Sequence, residues 1–499
     1  MFEQLTPREA RKLLAPLPAH AATARGYLAG DHWQSSTGWI GPRGQPGSAG
    51  DAETLREIER VFISKNVLGE VVERHTAGVV GHPVAWRLTV ARALGADEEP
   101  SAAEQVLLAE AEAALTAWWD AGEVAYLLQE ALGMLLSCGR APLRLFVPPG
   151  LVGEDGRMPA GDVATQLSRI VLAMSDPAHA QVIRDPAIYR RAGVVLYTED
   201  KQERAEISSM DADGLTWLRI VSDAATVSEV RLNLGGRLLL HDMRRTVFIS
   251  PQAIALQRMV NLALTVMGRN VVMGGFLERT LLNAQLPGRF VDDPATGKRF
   301  VPEPMTFGAG IVNVIQGAEL RDERNDEVKG YASPNIIYRD PVSVTTFAET
   351  LELSYRAILE ECRQAHAILS GEGAPSGESR KQALSDFLSS LRLTAPIVED
   401  AVRWLLETAL HLAAQLAGQP GRYLGLRAVA TCHLDSGPLG SDESRQVVEL
   451  VEARLLSRET AMGRIGVDDT DAEARRVAAE READATVGQV ALAAFNSGA

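Results

Sequence analysis

The stretch 252–269 limits the fold more than any other. Ile254, Leu256, Met259, Val260, Leu262, Leu264, Val266 and Met267 together cover most of the circumference of one helix. A helix that is apolar nearly all round is buried on several sides, often between neighbours. Ser250-Pro251 supplies its start, since proline suits the first helical position. Residues 270–342 then turn Gly- and Pro-rich, and Asp292-Asp-Pro-Ala-Thr-Gly-Lys298 predicts a hairpin turn. Strand-like runs follow at 310–316 and 336–338. Helical character returns over 344–367, where Phe347, Leu351, Tyr355, Ile358 and Cys362 mark one stripe. The pattern predicts two helices with a small α/β module inserted between them.

Elsewhere the period sorts the chain into a mixed α+β fold. Thr6-Pro-Arg-Glu9 and Ser101-Ala-Ala-Glu104 are capping boxes that open helices. A Gly/Pro-rich loop is expected over 30–50, a helix over about 54–78 and another over 124–136. Residues 143–147 read as a strand. From about Gly193 the period drops to two, and strands at 194–198, 205–210, 216–221, 227–232 and 237–241 predict one antiparallel meander. The segment 369–379 interrupts helical sequence with Gly371, Gly373, Pro375 and Gly377. A long helix is expected over 380–417, kinked or broken by Pro396. Residues 423–433 form a last strand, and the tail from Ser441 is helical, with a third capping box at Thr470-Asp-Ala-Glu473.

With 499 residues, 46% of them hydrophobic, the chain has enough apolar surface for more than one packed unit. Cys138, Cys362 and Cys432 are too few and too scattered for a disulfide framework or a zinc cluster, which fits a reducing cytoplasm. Residues 1–11 are polar and charged, so no secretory leader is expected. The most apolar long window, 397–417, carries Glu399, Asp400, Arg403 and Glu407, which argues against a membrane span. The net charge of −15 argues against a protein that holds DNA tightly, because duplex affinity comes largely from cations on phosphates.

Catalytic signatures are missing. Ala295-Thr-Gly-Lys-Arg299 lacks the first glycine and the hydroxyl of a phosphate loop. Cys432-His433 has the residue types of a nucleophile and base, yet neighbours in a strand point to opposite faces, so core residues are the reading. Asp211-Ala-Asp-Gly214 begins like a calcium loop, but the ligand spacing fails after Leu215, leaving a β-turn. Asp468-Asp-Thr-Asp471 reads as a helix N-terminal acidic cap.

Several patches, in order, resemble the portal proteins of tailed bacteriophages of the siphophage type. They are Tyr27-Leu-Ala-Gly-Asp-His-Trp33 with Gly38-Trp-Ile-Gly-Pro42, and Asn66-Val-Leu-Gly-Glu-Val-Val-Glu-Arg-His-Thr-Ala-Gly78. Further along come Leu256-Gln-Arg-Met-Val-Asn261 with Gly274-Gly-Phe-Leu-Glu-Arg279, and Ser376-Gly-Glu-Ser-Arg-Lys-Gln-Ala383 after His366 and Leu369-Ser-Gly371. Leu455-Leu-Ser-Arg-Glu-Thr460, Gly466-Val-Asp-Asp469 and Glu480-Arg481 complete the series. None is a catalytic signature; their order carries the likeness.

The resemblance implies a mainly helical portal fold. Its parts would be a β-rich wing at 1–250, stem helices at 251–269 and 344–367, and an inserted α/β clip at 270–343. A tunnel loop would follow at 368–379, then the kinked helix and a returning wing strand at 380–437, and a helical crown at 438–499. It implies subunit packing through Leu256, Met259, Val260, Leu264, Phe347, Leu351, Tyr355 and Ile358 of the stem. It also implies that the loop formed by Leu369, Ser370, Gly371, Glu372, Gly373, Ala374, Pro375, Ser376, Gly377 and Glu378 approaches DNA. The implied protein is a structural ring of twelve copies at one capsid vertex of the virion, made in the host cytoplasm, with no enzymatic activity, cofactor, metal or membrane. Its partners would be the terminase large subunit, head-completion adaptor proteins, and capsid and scaffolding proteins. Double-stranded DNA would pass in during packaging and out during ejection without specific binding. Twelve copies would carry roughly −180 charges, and an acidic bore repels a duplex rather than trapping it. The competing readings are a cytoplasmic α/β interaction scaffold that never forms a ring, and a hydrolase whose Ser/His/Asp set is dispersed in sequence.

Overall fold

A computed structural model describes residues 5–40, 56, 59–93, 98–148, 160–185, 191–199, 201–223, 225–275, 278–284, 288–293, 297–302, 317–321, 327–339, 343–368, 377–434, 441–458, 461–462, 473–474 and 476–478. The chain is a mixed α+β protein with several small sheets. It divides into two compact units, Met1–Ser35 with Asn66–Gln257 and Arg356–Ala499, and Ser36–Lys65 with Arg258–Tyr355.

The elements run in order α1 (Pro7–Leu13), α2 (Ala21–Leu28), α3 (His32–Ile40), α4 (Val67–Val80), β1 (Ala85–Val90), α5 (Ala102–Ala121), α6 (Val124–Cys138), β2 (Arg140–Phe146), α7 (Val163–Leu167), β3 (Val171–Met174), β4 (Ala180–Arg184) and β5 (Arg191–Glu199). Then come β6 (Gln202–Met210), β7 (Thr216–Ser222), β8 (Thr226–Leu232), β9 (Leu240–Arg244), α8 (Pro251–Gly275), β10 (Glu278–Leu282), β11 (Gly288–Asp293), β12 (Gly297–Pro302), β13 (Glu319–Arg321), β14 (Val328–Tyr331) and β15 (Asn335–Arg339). The last are α9 (Val344–Glu361), a short 3₁₀ turn Ala365–Ala367, α10 (Gly377–Arg392), α11 (Ala395–Leu416), β16 (Leu426–Thr431) and α12 (Ser441–Glu452).

In the first unit, β4 to β8 form a five-stranded antiparallel sheet in sequence order. Helix α1, closed by the capping box of Thr6 and Glu9, lays Ala10 on that sheet against Ile183, Val194, Leu196 and Ile207. A second sheet has the order β3-β2-β9, and β1 pairs with β16. Helix α11 packs on β16, α7 and β9, and from Ala401 to Ala414 every residue but Arg403 is buried. Its Glu407 accepts the Ala428 N–H at 2.8 Å and pairs with Arg237.

The second unit is built differently. After α8 the described residues form three two-stranded ribbons, β10–β15, β11–β12 and β13–β14, and α9 follows. The strands on either side of the turn expected at 292–298, β11 and β12, pair antiparallel, with Gly297 at φ +88, a conformation costly for other L residues; residues 294–296 lie outside the described residues.

Several expectations are corrected. The loop over 30–50 contains α3, while 41–50 lie outside the described residues. The helix expected over 54–78 is interrupted: residues 56, 59 and 60 are helical, 61–66 are not, and Asn66, which accepts the Gly69 N–H at 2.8 Å, caps a new helix at Val67. The fifth strand of the meander, expected at 237–241, is Leu240–Arg244 and belongs with β2. Gly235 and Gly236, at φ +60 and +75, turn the chain out of the first sheet before it. Helix α8 extends to Gly275, six residues past the expected end, and the described part of 276–343 is strand with no helix. The run at 310–316 and the box at 470–473, except Glu473, lie outside the described residues. The break expected at Pro396, by contrast, is present: the proline opens α11 in its first turn, with Leu393 and Thr394 between the two helices.

Candidate functional site

Helix α8 buries polar side chains where apolar ones were expected. Gln257, Asn261 and Thr265 are fully or almost fully buried, four residues apart on one face. They meet backbone groups of the non-helical segment 63–65 and of the first turn of α4. Gln257 accepts the N–H groups of Val67 at 3.0 Å and Leu68 at 3.1 Å. Asn261 accepts from Lys65 at 3.3 Å, and Thr265 both accepts the Ile63 N–H at 3.1 Å and donates to the Ile63 carbonyl at 3.2 Å. A buried backbone group without a partner costs about 1–3 kcal/mol, so the ladder lets an unpaired extended strap lie against a helix. Meanwhile Val266 and Val271 are exposed. The helix is therefore not apolar all round: one face is a polar zipper, and apolar positions are left facing outward. The signal was present as Gln-x3-Asn-x3-Thr.

The expected packing residues fall into three groups. Val260 and Ile358 are buried within the chain. Leu256, Leu264, Phe347, Leu351 and Tyr355 are half-buried. Met259 is exposed, as is Leu353 on α9, at 71%. Tyr355 lies under the Lys65 ammonium, 4.6 Å from its ring centre. In the first unit, Ser250 donates to Glu361 at 2.7 Å, tying the start of α8 to the end of α9. Helix α9 stops in a C-terminal motif where the Gln364 N–H reaches the Leu359 carbonyl at 2.6 Å and Arg363 takes φ +55. Gln364, fully buried, then accepts from Arg74 and donates to the Val71 carbonyl, both at 2.7 Å.

Of the expected tunnel loop, residues 369–376 lie outside the described residues. Gly377 and Glu378 open α10, so helix begins inside the stretch expected as loop.

No family model matches the chain, and no curated protein matches it.

The catalytic candidates resolve as structure. Cys432 is buried beneath α11, its thiol pushed up to about 12 by burial and then by the Glu399 carboxylate, which accepts the Cys432 N–H at 3.0 Å. A thiol held protonated is a poor nucleophile. Asp211 spends one oxygen on the N–H groups of Asp213 and Leu215, both at 2.9 Å, which is turn chemistry. His75 is fully buried and pushed down to about 3, by burial and then by Arg245. Among the described residues no helix is long and apolar enough to cross a membrane, and no group of three His, Cys, Asp or Glu is placed to hold a metal ion.

Proposed function

We propose that this chain is a ring-forming subunit of the portal type, which conducts double-stranded DNA at a capsid vertex and docks a terminase and head-completion proteins. The observation that carries the reading is how few apolar side chains the described residues of the second unit bury. Among its described residues only Val260 and Ala263 are both apolar and buried. Yet more than half of the large apolar side chains exposed anywhere in the described chain belong to it. Its six described strands pair two by two, and a two-stranded ribbon is marginal in water without a further strand or a helix to cover it. Such a unit is completed by association. In the portal reading the cover is the same unit of neighbouring copies, with α8 and α9 forming a tube wall. At 1.5 Å per residue, α8 would span about 37 Å of it. The sequence likeness supplies the ring and the DNA; the sparse core supplies the need for neighbours.

The test is the mass of the purified chain in solution by light scattering, with electron micrographs of the same sample. A ring is expected. Val266→Asp with Leu353→Asp should raise the concentration needed for assembly at least tenfold, since a charge buried without a partner is costly. A wild-type chain that stays monomeric at high concentration would overturn the reading.

A further inference from the structure

The first unit holds a cleft of about 700 Å³ where the edge strands of two sheets come together, β4 of the five-stranded sheet and β9 of the three-stranded one. Side chains stitch these edges. Asp242 accepts the Val182 N–H at 3.3 Å, and Arg244 donates to the same carboxylate at 2.7 Å while its other arm reaches the Val182 carbonyl. Four arginines line the cleft, Arg184, Arg191, Arg237 and Arg244, against Asp242 and Asp400. Two of the four are already committed, Arg237 to Glu407 and Arg244 to Asp242.

Arg184 and Arg191 are different. They stand directly opposite each other in the β4–β5 register, and neither has an acidic partner among the described residues. Like charges directly opposite across a ladder destabilise it. Both side chains are exposed, so burial does not force this arrangement. The Arg191 charge also reaches His241 on the cleft wall. That imidazole, stacked on Trp404 at 5.2 Å, is pushed down to about 4 by burial, with Asp400 opposing and Arg191 adding to the fall.

We propose that the Arg184–Arg191 pair is the recognition element of a binding site for a small phosphate ester of nucleotide size. Two guanidinium groups with no acidic partner among the described residues match a phosphate, which brings nearly two negative charges and three strong acceptor oxygens. A carboxylate would leave one cation unmatched. The volume is within the range of small-molecule sites. A nucleic-acid backbone calls for cations spaced along a track, whereas these two face each other across a single ladder. The site lies wholly in the first unit and does not depend on ring formation.

Calorimetry and thermal melting of the full chain test this, with inorganic phosphate, pyrophosphate, AMP and a duplex oligonucleotide as separate arms. The small phosphates should bind and raise the melting temperature. AMP binding tighter than pyrophosphate supports a nucleotide-sized ester, and AMP binding equally or more weakly overturns that assignment in favour of a free phosphate. Arg184→Ser with Arg191→Ser should weaken binding by about a hundredfold, roughly tenfold for each guanidinium lost. Arg184→Lys, which keeps the charge but loses the fork, should weaken it less. Without ligand the double variant should melt no lower than wild type, because it removes a repulsion; a structural pair would give the opposite result. The proposal is overturned if no small phosphate binds, if the double variant binds as wild type does, or if only the duplex arm depends on these arginines.

Discussion

The two units solve the same problem with different means. The first buries its apolar residues inside itself: α11 is enclosed along fourteen positions with one half-exposed exception, and α1 closes one face of the five-stranded sheet. The second holds its shape mainly through directional bonds, a polar zipper on α8 and three separate ribbons, and leaves apolar side chains outside. Hydrogen bonds fix geometry but contribute little net stability, whereas burial contributes most of it. A unit rich in the former and poor in the latter is shaped before it is stable. The proposed ring would require this, because a surface covered by neighbouring copies must present a defined form and still gain from being covered.

Acid should separate the units most. All nine histidines lie in the first unit. His75 and His241 are lowered from an ordinary value of 6.5 to about 3 and about 4, with burial the first cause in each. The unfolded chain therefore binds protons that the folded one refuses. Their contribution is complete above pH 6.5 and drains away as the pH falls toward those lower values, and by about pH 4 His75 alone accounts for on the order of 3 kcal/mol. Amide exchange across this window should show the first unit loosening; opening of the second unit first would break the comparison. A truncation of similar size is Leu405→Ala, in the enclosed part of α11, expected to lower urea stability by about 2–5 kcal/mol. In the zipper, Thr265→Val strands the Ile63 N–H and should cost about 1–3 kcal/mol, read as faster exchange at that amide with the first unit's core unchanged. Smallest of all, Leu353→Ala should shift the stability of the dilute chain by no more than about 0.5 kcal/mol. A large loss there in monomer would mean that the second unit has a core of its own.

The sequence is most legible where a local rule decides. Both described capping boxes form, β11 and β12 pair on either side of the expected 292–298 turn, and Pro396 sits where one helix gives way to another. Legibility fails where the partner is remote. Nothing near Ala85 says that its strand pairs with Thr431, and the departure of β9 from the meander depends on β2, nearly a hundred residues earlier. In the packing set the error was one of weighting. Counting apolar positions on α8 concealed three polar ones at helical spacing, because an isolated Gln, Asn or Thr is ordinarily read as solvated. The cleft arginines are illegible for the same reason as β9, since only the register sets Arg184 against Arg191.

The β1–β16 ladder also has a consequence in time. Its antiparallel partners, Val90 with Leu426 and Ala85 with Thr431, are separated by most of the chain. Translation adds about 5–20 residues per second, so β1 leaves the ribosome roughly 17–70 s before its partner exists. Throughout that interval its backbone donors and acceptors are an open template for any other extended chain. Helix α5 offers an interim guard: Glu112 accepts the Leu88 N–H at 2.9 Å, and the helix is complete about thirty residues after β1. The first unit therefore closes this edge only late in synthesis, once β16 has been made.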